Sequence, residues 1–223
     1  MASPDDIAVQ ELLNAYAHGV FPMAASAHTP ELYLQDPEWR GIIPLDGLTI
    51  PRRLARTVRQ EPFEIRVNSD FEATIDGCAA ETPERGSTWI NQEIRQLYRA
   101  LFRRGHCHTV EAWQDGRIVG GLYGVSLKGA FFGESMFSRE RDASKIALMH
   151  LCARLITGGF VLLDTQFITN HLAQFGAVEV PRRTFRRHLA EALRHEGNFL
   201  AMPRNLSGAE VVEIVRGNSR AAP

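Results

Sequence analysis

The chain has 223 residues, 44% of them hydrophobic and 23% charged, with a formal net charge of −1. This is a globular composition able to bury a real core, as one large domain or one domain with a smaller partner, and it excludes a strongly basic binder. Cys78, Cys107 and Cys152 are too few and too scattered for a disulfide framework or a zinc site, and no apolar run is long enough to span a bilayer.

In chain order, Met1 to Gln10 carries Asp5 and Asp6 and no apolar signal-peptide core, so a soluble, cytoplasmic protein is expected. Residues 7–18 read as an amphipathic helix ending at Gly19, with Pro22 just beyond. Residues 22–51 are Pro-rich and read as irregular, and Leu54 to Gln60 as a basic helix stopping near Pro62, where a domain boundary is expected. Phe63 to Val67 alternates as a strand, and Phe71 to Ala80 and Asn91 to Arg104 read as helices. Thr109 to Trp113 and Arg117 to Val125 flank Asp115-Gly116, a strong hairpin signal, and Lys128-Gly129 turns the chain into Ala130 to Phe137. Asp142 is placed to cap a helix from Ala143 to Thr157. After it come a buried strand (160–163), a short helix (170–175), a strand (177–180), a helix (184–195) and a loose tail from about 204.

This order predicts an α+β fold: a small N-terminal α/β domain (1–62), a mixed β-sheet domain flanked by helices (63–203) and a tail (204–223). A meander followed by a helix and a further strand resembles the GCN5-related N-acyltransferase layout, a likeness of fold that carries no function by itself.

Most of the positive charge is arginine, in three clusters: Arg52, Arg53, Arg56 and Arg59; Arg95, Arg99, Arg103 and Arg104; Arg182, Arg183, Arg186 and Arg187. Solvated faces explain such runs as well as phosphate contacts do, though positions 95, 99 and 103 stack on one helix face in a manner suited to phosphates.

Chemistry concentrates elsewhere. Glu134 stands in a strand otherwise made of Phe, Gly, Met and Ser, where a carboxylate either points outward, pairs with Arg139 or Arg141, or is buried with a raised pKa. Asp164 and Gln166, two residues apart in an extended segment, leave one face of the next strand; the plainer reading is a strand-end turn. Trp89, Phe131, Met136, Leu148, Leu151, Leu155 and Leu163 read first as core, but beside two acids and an amide they also describe an apolar pocket. His106-Cys107-His108 lacks a matched third ligand, and no nucleophile elbow or Walker loop is present, so neither metal nor cofactor is expected.

The segments Gly19-Val20-Phe21-Pro22, Thr88-Trp89-Ile90, Gly120-Gly121-Leu122-Tyr123-Gly124, Gly133-Glu134-Ser135-Met136-Phe137-Ser138-Arg139 with Ala143-Ser144-Lys145, and Asp164-Thr165-Gln166 carry a resemblance to the leucyl/phenylalanyl-tRNA–protein transferases over about residues 8 to 195. Two departures stand out. Leu32-Tyr33-Leu34-Gln35 occupies the place of a Trp-Trp pair before Asp36-Pro37, and Leu155 stands where some members carry Phe.

The resemblance implies transfer of Leu, Phe or Met from aminoacyl-tRNA to the N-terminal Arg or Lys of a protein, marking it for degradation. It makes Asp164, Gln166 and Glu134 the catalytic group and the seven apolar residues the pocket for the transferred side chain. It also implies Arg52, Arg53, Arg56 and Arg59 as tRNA contacts on a monomer. An acyl-CoA-dependent N-acyltransferase is the competing enzyme reading, weakened by the missing Gln/Arg-x-x-Gly-x-Gly/Ala phosphate loop. A non-catalytic tRNA-binding or N-terminus-binding module is the other.

Overall fold

A computed structural model describes residues 4–81 and 86–220; Met1 to Ser3 and residues 221–223 of the expected tail lie outside them. The elements run α1 (Pro4–Ala17), β1 (Phe21–Ala24), β2 (Leu32–Gln35), β3 (Trp39–Ile43), α2 (Arg52–Arg59), β4 (Glu64–Val67), α3 (Phe71–Ala79) and α4 (Gln92–Arg103). They continue β5 (Cys107–Gln114), β6 (Arg117–Leu127), β7 (Ala130–Ser138), α5 (Ala143–Thr157), β8 (Leu162–Gln166), α6 (Asn170–Ala173), β9 (Val178–Pro181), α7 (Arg182–Ala192) and α8 (Gly208–Arg220). The class is α+β: a mixed sheet in the order β4-β5-β6-β7-β8-β3-β9, and a separate β1-β2 hairpin.

Two cores sandwich the sheet. Apolar residues of α1, α3, α4 and α7 pack on one face, and those of α2, α5 and α8 on the other. β5, β6 and β7 form the antiparallel meander, and α5 then crosses over to bring β8 parallel to β7. That pairing runs only from Ala130↔Leu162 to Phe132↔Asp164. Beyond it the two strands part, leaving an opening at their carboxyl ends, where α/β sheets place their ligands.

The sequence reading needs three corrections. The segment taken as irregular supplies β1, β2 and β3, short strands of four or five residues interrupted by Pro22, which hides their period. β3 sits between β8 and β9 inside the large sheet and α2 packs on its core, so a boundary near 62 cuts through one body. The tail is also ordered: Val211, Val212 and Val215 of α8 are fully buried, and apolar positions at this helical spacing need a packed partner face.

Candidate active site

Glu134 owes its position to a β-bulge. Opposite β6, Gly124 pairs with Gly133 and Tyr123 with Ser135, so Glu134 is the extra residue. A bulge re-aims the side chains that follow it. Phe131 before the bulge and Met136 after it face the same core although their numbers differ in parity. Glu134 itself is buried, and its carboxylate oxygens are met by the hydroxyls of Tyr16 from α1 (2.6 Å) and Tyr98 from α4 (2.8 Å). No ion pair joins it to Arg139, whose guanidinium donates to the Ile118 carbonyl, or to Arg141, which faces Asp142.

Gln166 closes the opening between β7 and β8. Its Nε2 donates to Glu134 Oε1 at 3.0 Å. Its backbone has left the strand conformation for the left-handed region (φ 62°), a placement that costs on the order of 1 kcal/mol for a non-glycine residue and collects at functional sites. Asp164 holds it there by accepting the Gln166 backbone N–H at 2.8 Å. Asp164 and Gln166 therefore diverge. One side chain turns to the cavity and the other away, to Arg40 of β3, which donates Nε to Oδ1 (2.9 Å) and Nη2 to Oδ2 (2.6 Å).

A cavity of about 630 Å³ takes walls from both faces of the sheet through this opening. Its apolar lining includes Trp89, Met136, Leu148, Leu151 and Leu163, joined by Met23, Leu122, Phe167 and Leu172; its polar members include Glu134, Gln166, Thr165, Arg139 and His171. Phe131 and Leu155 are fully buried in core away from it, Phe131 against Phe160 and Phe199. Trp89 is fixed by the turn into α4, where Thr88 Oγ1 accepts the Ile90 N–H and Asn91 caps the helix through Ile94 N–H at 2.8 Å. Gly77 admits the Phe137 ring so closely that a Cβ there would meet it at 2.6 Å.

A second, more open hollow of about 550 Å³ shares Ser138, Arg139, Ser144 and His171 with the first and adds Arg53, Arg141 and Lys145 around Asp142. Asp142 does not cap α5 as expected. It adopts φ 65° with no capping hydrogen bond, and Ser138 Oγ accepts the Ser144 N–H instead. The Asp142 carboxylate is occupied by Arg53 at 2.9 Å and Lys145 at 3.4 Å. Of the expected tRNA cluster, Arg52 and Arg56 are exposed on α2, while Arg59 pairs with Glu213. The cluster at 95–104 is largely spent on acids: Arg95 on Asp76, Arg99 on Glu72 and Arg104 on Asp6. His108 of the His-Cys-His run gives its ring nitrogens to Asn68 and Ser126.

Burial pushes the Glu134 carboxyl up to about 7, against the pull of its hydrogen bonds from Tyr16 and Tyr98, and the charge of Asp164 adds to the rise. Burial and the neighbouring Glu134 push both tyrosines well above their ordinary range. Tyr16, Tyr98 and Arg40 are the members of this network that sequence reasoning missed. The two tyrosines sit in amphipathic helices where core is the default reading, and Arg40 lies in the segment read as irregular.

Comparison with known proteins gives the family. A family model described as leucyl/phenylalanyl-tRNA protein transferase matches residues 42–190, and its N-terminal domain model matches 5–38. A leucyl/phenylalanyl-tRNA–protein transferase of Rhodopseudomonas palustris (strain TIE-1) is 56% identical over 222 residues, covering 96% of this chain and 99% of that relative. One from Phenylobacterium zucineum (strain HLK1) is 59% identical over 193 residues, 86% of this chain and 87% of its own. One from Caulobacter vibrioides (strain NA1000 / CB15N) is 53% identical over 211 residues, 95% of this chain and 97% of its own. With both family models matched and identity above half across nearly the whole length, the chain belongs to the leucyl/phenylalanyl-tRNA–protein transferase family.

Proposed function

We propose that this chain moves Leu, Phe or Met from aminoacyl-tRNA onto the N-terminal Arg or Lys of a protein, forming a peptide bond and creating a degradation signal. The observation that carries the reading is the Gln166–Glu134 hydrogen bond (3.0 Å) on the wall of a largely apolar cavity. The relatives' names supply the donor tRNAs and a protein acceptor.

The aminoacyl ester is already activated, so the reaction needs no covalent intermediate and no cofactor. The attacking α-amine has an ordinary pKa of ~7.7–8 and is partly neutral near pH 7. It forms the C–N bond while the C–O bond to the ribose breaks, and the ribose oxygen leaves with a proton. Positioning is the main task, and it can supply roughly 7–11 kcal/mol of the barrier.

With its nitrogen committed to Glu134, the Gln166 carboxamide presents its oxygen as acceptor for the amine. Glu134 faces the cationic N-terminal residue. Asp164 acts from behind, as the group that holds Gln166. Trp89, Met136, Leu148, Leu151 and Leu163 receive the transferred side chain. A purely apolar wall separates hydrophobes by only ~1–3 kcal/mol per methylene, which accounts for shared acceptance of Leu, Phe and Met.

Arg52, Arg53, Arg56 and Arg59, beside the cationic hollow, hold the acceptor stem, and affinity then falls steeply with salt. The β5-β6-β7 meander, the α5 crossover and the parting of β7 from β8 support the GCN5-related acyltransferase layout. A cytoplasmic monomer is consistent with this reading, and no described helix is long and apolar enough to cross a membrane.

The test is transfer of labelled leucine from Leu-tRNA to a protein with an exposed N-terminal Arg, comparing wild type with Gln166→Ala. Transfer by wild type, lost in the variant while tRNA binding persists, is the expected result. Wild type that transfers nothing from Leu-, Phe- or Met-tRNA overturns the proposal.

A further inference from the structure

Four oxygens from three side chains meet at the buried end of the site. Tyr16 and Tyr98 hydroxyls stand 2.5 Å apart, Tyr16 lies 2.6 Å from Glu134 Oε1, and Tyr98 lies 2.8 Å from Glu134 Oε2. Each contact is of hydrogen-bond length and requires one proton between its oxygens. The two phenols bring two protons. If Glu134 were ionised, two protons would have to serve three contacts, and one of the contacts would press lone pair against lone pair. A third proton on Oε2 closes the ring in one direction. Oε2–H then donates to Tyr98, Tyr98 to Tyr16 and Tyr16 to Oε1, which also accepts Gln166 Nε2–H at 3.0 Å.

From this geometry we infer that Glu134 rests as a neutral carboxylic acid in a closed ring with Tyr16 and Tyr98, and releases its proton to solvent when the cationic N-terminus of the acceptor protein docks against it.

The surroundings agree. Tyr123 on β6 and Cys107 on β5 are fully buried and pushed well up, so they stay uncharged, and the charge of Asp164 on β8 disfavours a second anion. Arg40, buried beside Asp164, is committed to that carboxylate and to the Gly19 carbonyl. Nothing in the ring neutralises an ionised Glu134, whereas an incoming ammonium or guanidinium does. On ionisation one contact of the ring must open, so capture of the acceptor is linked both to proton release and to loosening of the contacts that join α1, α4 and β7. The ring rests on the structure alone, and the linkage rests on the acceptor reading above.

Glu134→Gln mimics the neutral acid: its amide N–H₂ donates to Tyr98 and its oxygen accepts from Tyr16 and Gln166. Thermal midpoints of wild type and Glu134→Gln are compared from about pH 4.5 to about pH 8. A carboxyl whose folded pKa lies above its unfolded value loses stability as pH rises between the two. The variant therefore gains on wild type across that window, by roughly 5–10 °C at its upper end. A variant less stable than wild type at about pH 8 overturns the neutral ring.

The linkage is read by calorimetry of an N-terminal-Arg peptide binding to wild type near pH 6.5, in two buffers of different ionisation heat. Release of up to one proton per peptide, absent in Glu134→Gln, is expected. Binding without release, or no binding, overturns the linkage. The midpoint comparison then tells a failed ring from a failed acceptor reading.

Discussion

Arg40 grips both oxygens of Asp164 with both side chains sealed from solvent (2% and 0% exposed), and its guanidinium lies 4.4 Å from the ring centroids of Phe21 and Phe185. Removing one partner from such a pair strands a buried charge, at a cost of about 3–5 kcal/mol, whereas replacing both by apolar groups is often neutral. Arg40→Met should therefore lower the urea midpoint strongly, and Arg40→Met with Asp164→Leu should recover most of the loss. An unchanged midpoint in Arg40→Met would show that the pair contributes nothing. Asp164→Ala is accordingly a poor probe of chemistry, because it unfolds the support of Gln166 along with any role in transfer.

Gln166 separates strain from function. Its left-handed backbone (φ 62°) suits glycine, so Gln166→Gly should be more stable than Gln166→Ala by about 1 kcal/mol. Both lack the carboxamide, and both should lose transfer on the order of 100-fold through poor positioning. Chemical denaturation with single-turnover transfer on the same preparations checks this. Equal stability of the two variants would refute the strain, and near-normal transfer by either would remove Gln166 from the chemistry.

What the sequence conveys and what it hides have physical causes. A carboxylate in an apolar strand and an Asp-x-Gln at a strand end are conspicuous locally, so Glu134, Asp164 and Gln166 are legible. Their partners are not. Tyr16 and Tyr98 are separated from Glu134 by 118 and 36 residues, and their helices give no sign that the hydroxyls converge. The bulge at Glu134 is set by pairing with β6, which no periodicity within β7 reveals. Leu148, Leu151 and Leu155 share a helix face, yet only the first two reach the opening between β7 and β8; Leu155, a turn further on, remains in the core.

That last difference predicts distinct phenotypes. Leu151→Ala enlarges the cavity and should shift the Phe:Leu transfer ratio toward Phe, within the roughly 10–200-fold range a methylene-scale change commands. Leu155→Ala should cost about 2–5 kcal/mol of stability and leave the ratio unchanged. Competition between Phe-tRNA and Leu-tRNA gives the ratio, and urea denaturation gives the stability. A ratio altered by Leu155→Ala would place that side chain in the pocket after all.

The arginines are separable by the acids beside them. Arg52 and Arg56 are exposed on α2 with no salt bridge to any described residue, whereas Arg95 is tied to Asp76 and Arg99 to Glu72. A phosphate displaces little from the first pair but must compete with a carboxylate at the second. Deleting a side chain that neutralises one phosphate should reduce the slope of log K against log salt by about 0.7–0.9. Arg52→Ala with Arg56→Ala should therefore flatten the salt dependence of tRNA binding by about 1.5, while Arg95→Ala with Arg99→Ala leaves the slope nearly as it was. Filter binding of aminoacyl-tRNA across a salt series gives both slopes. The reverse pattern would move the tRNA from the α2 side of the protein to the α4 side.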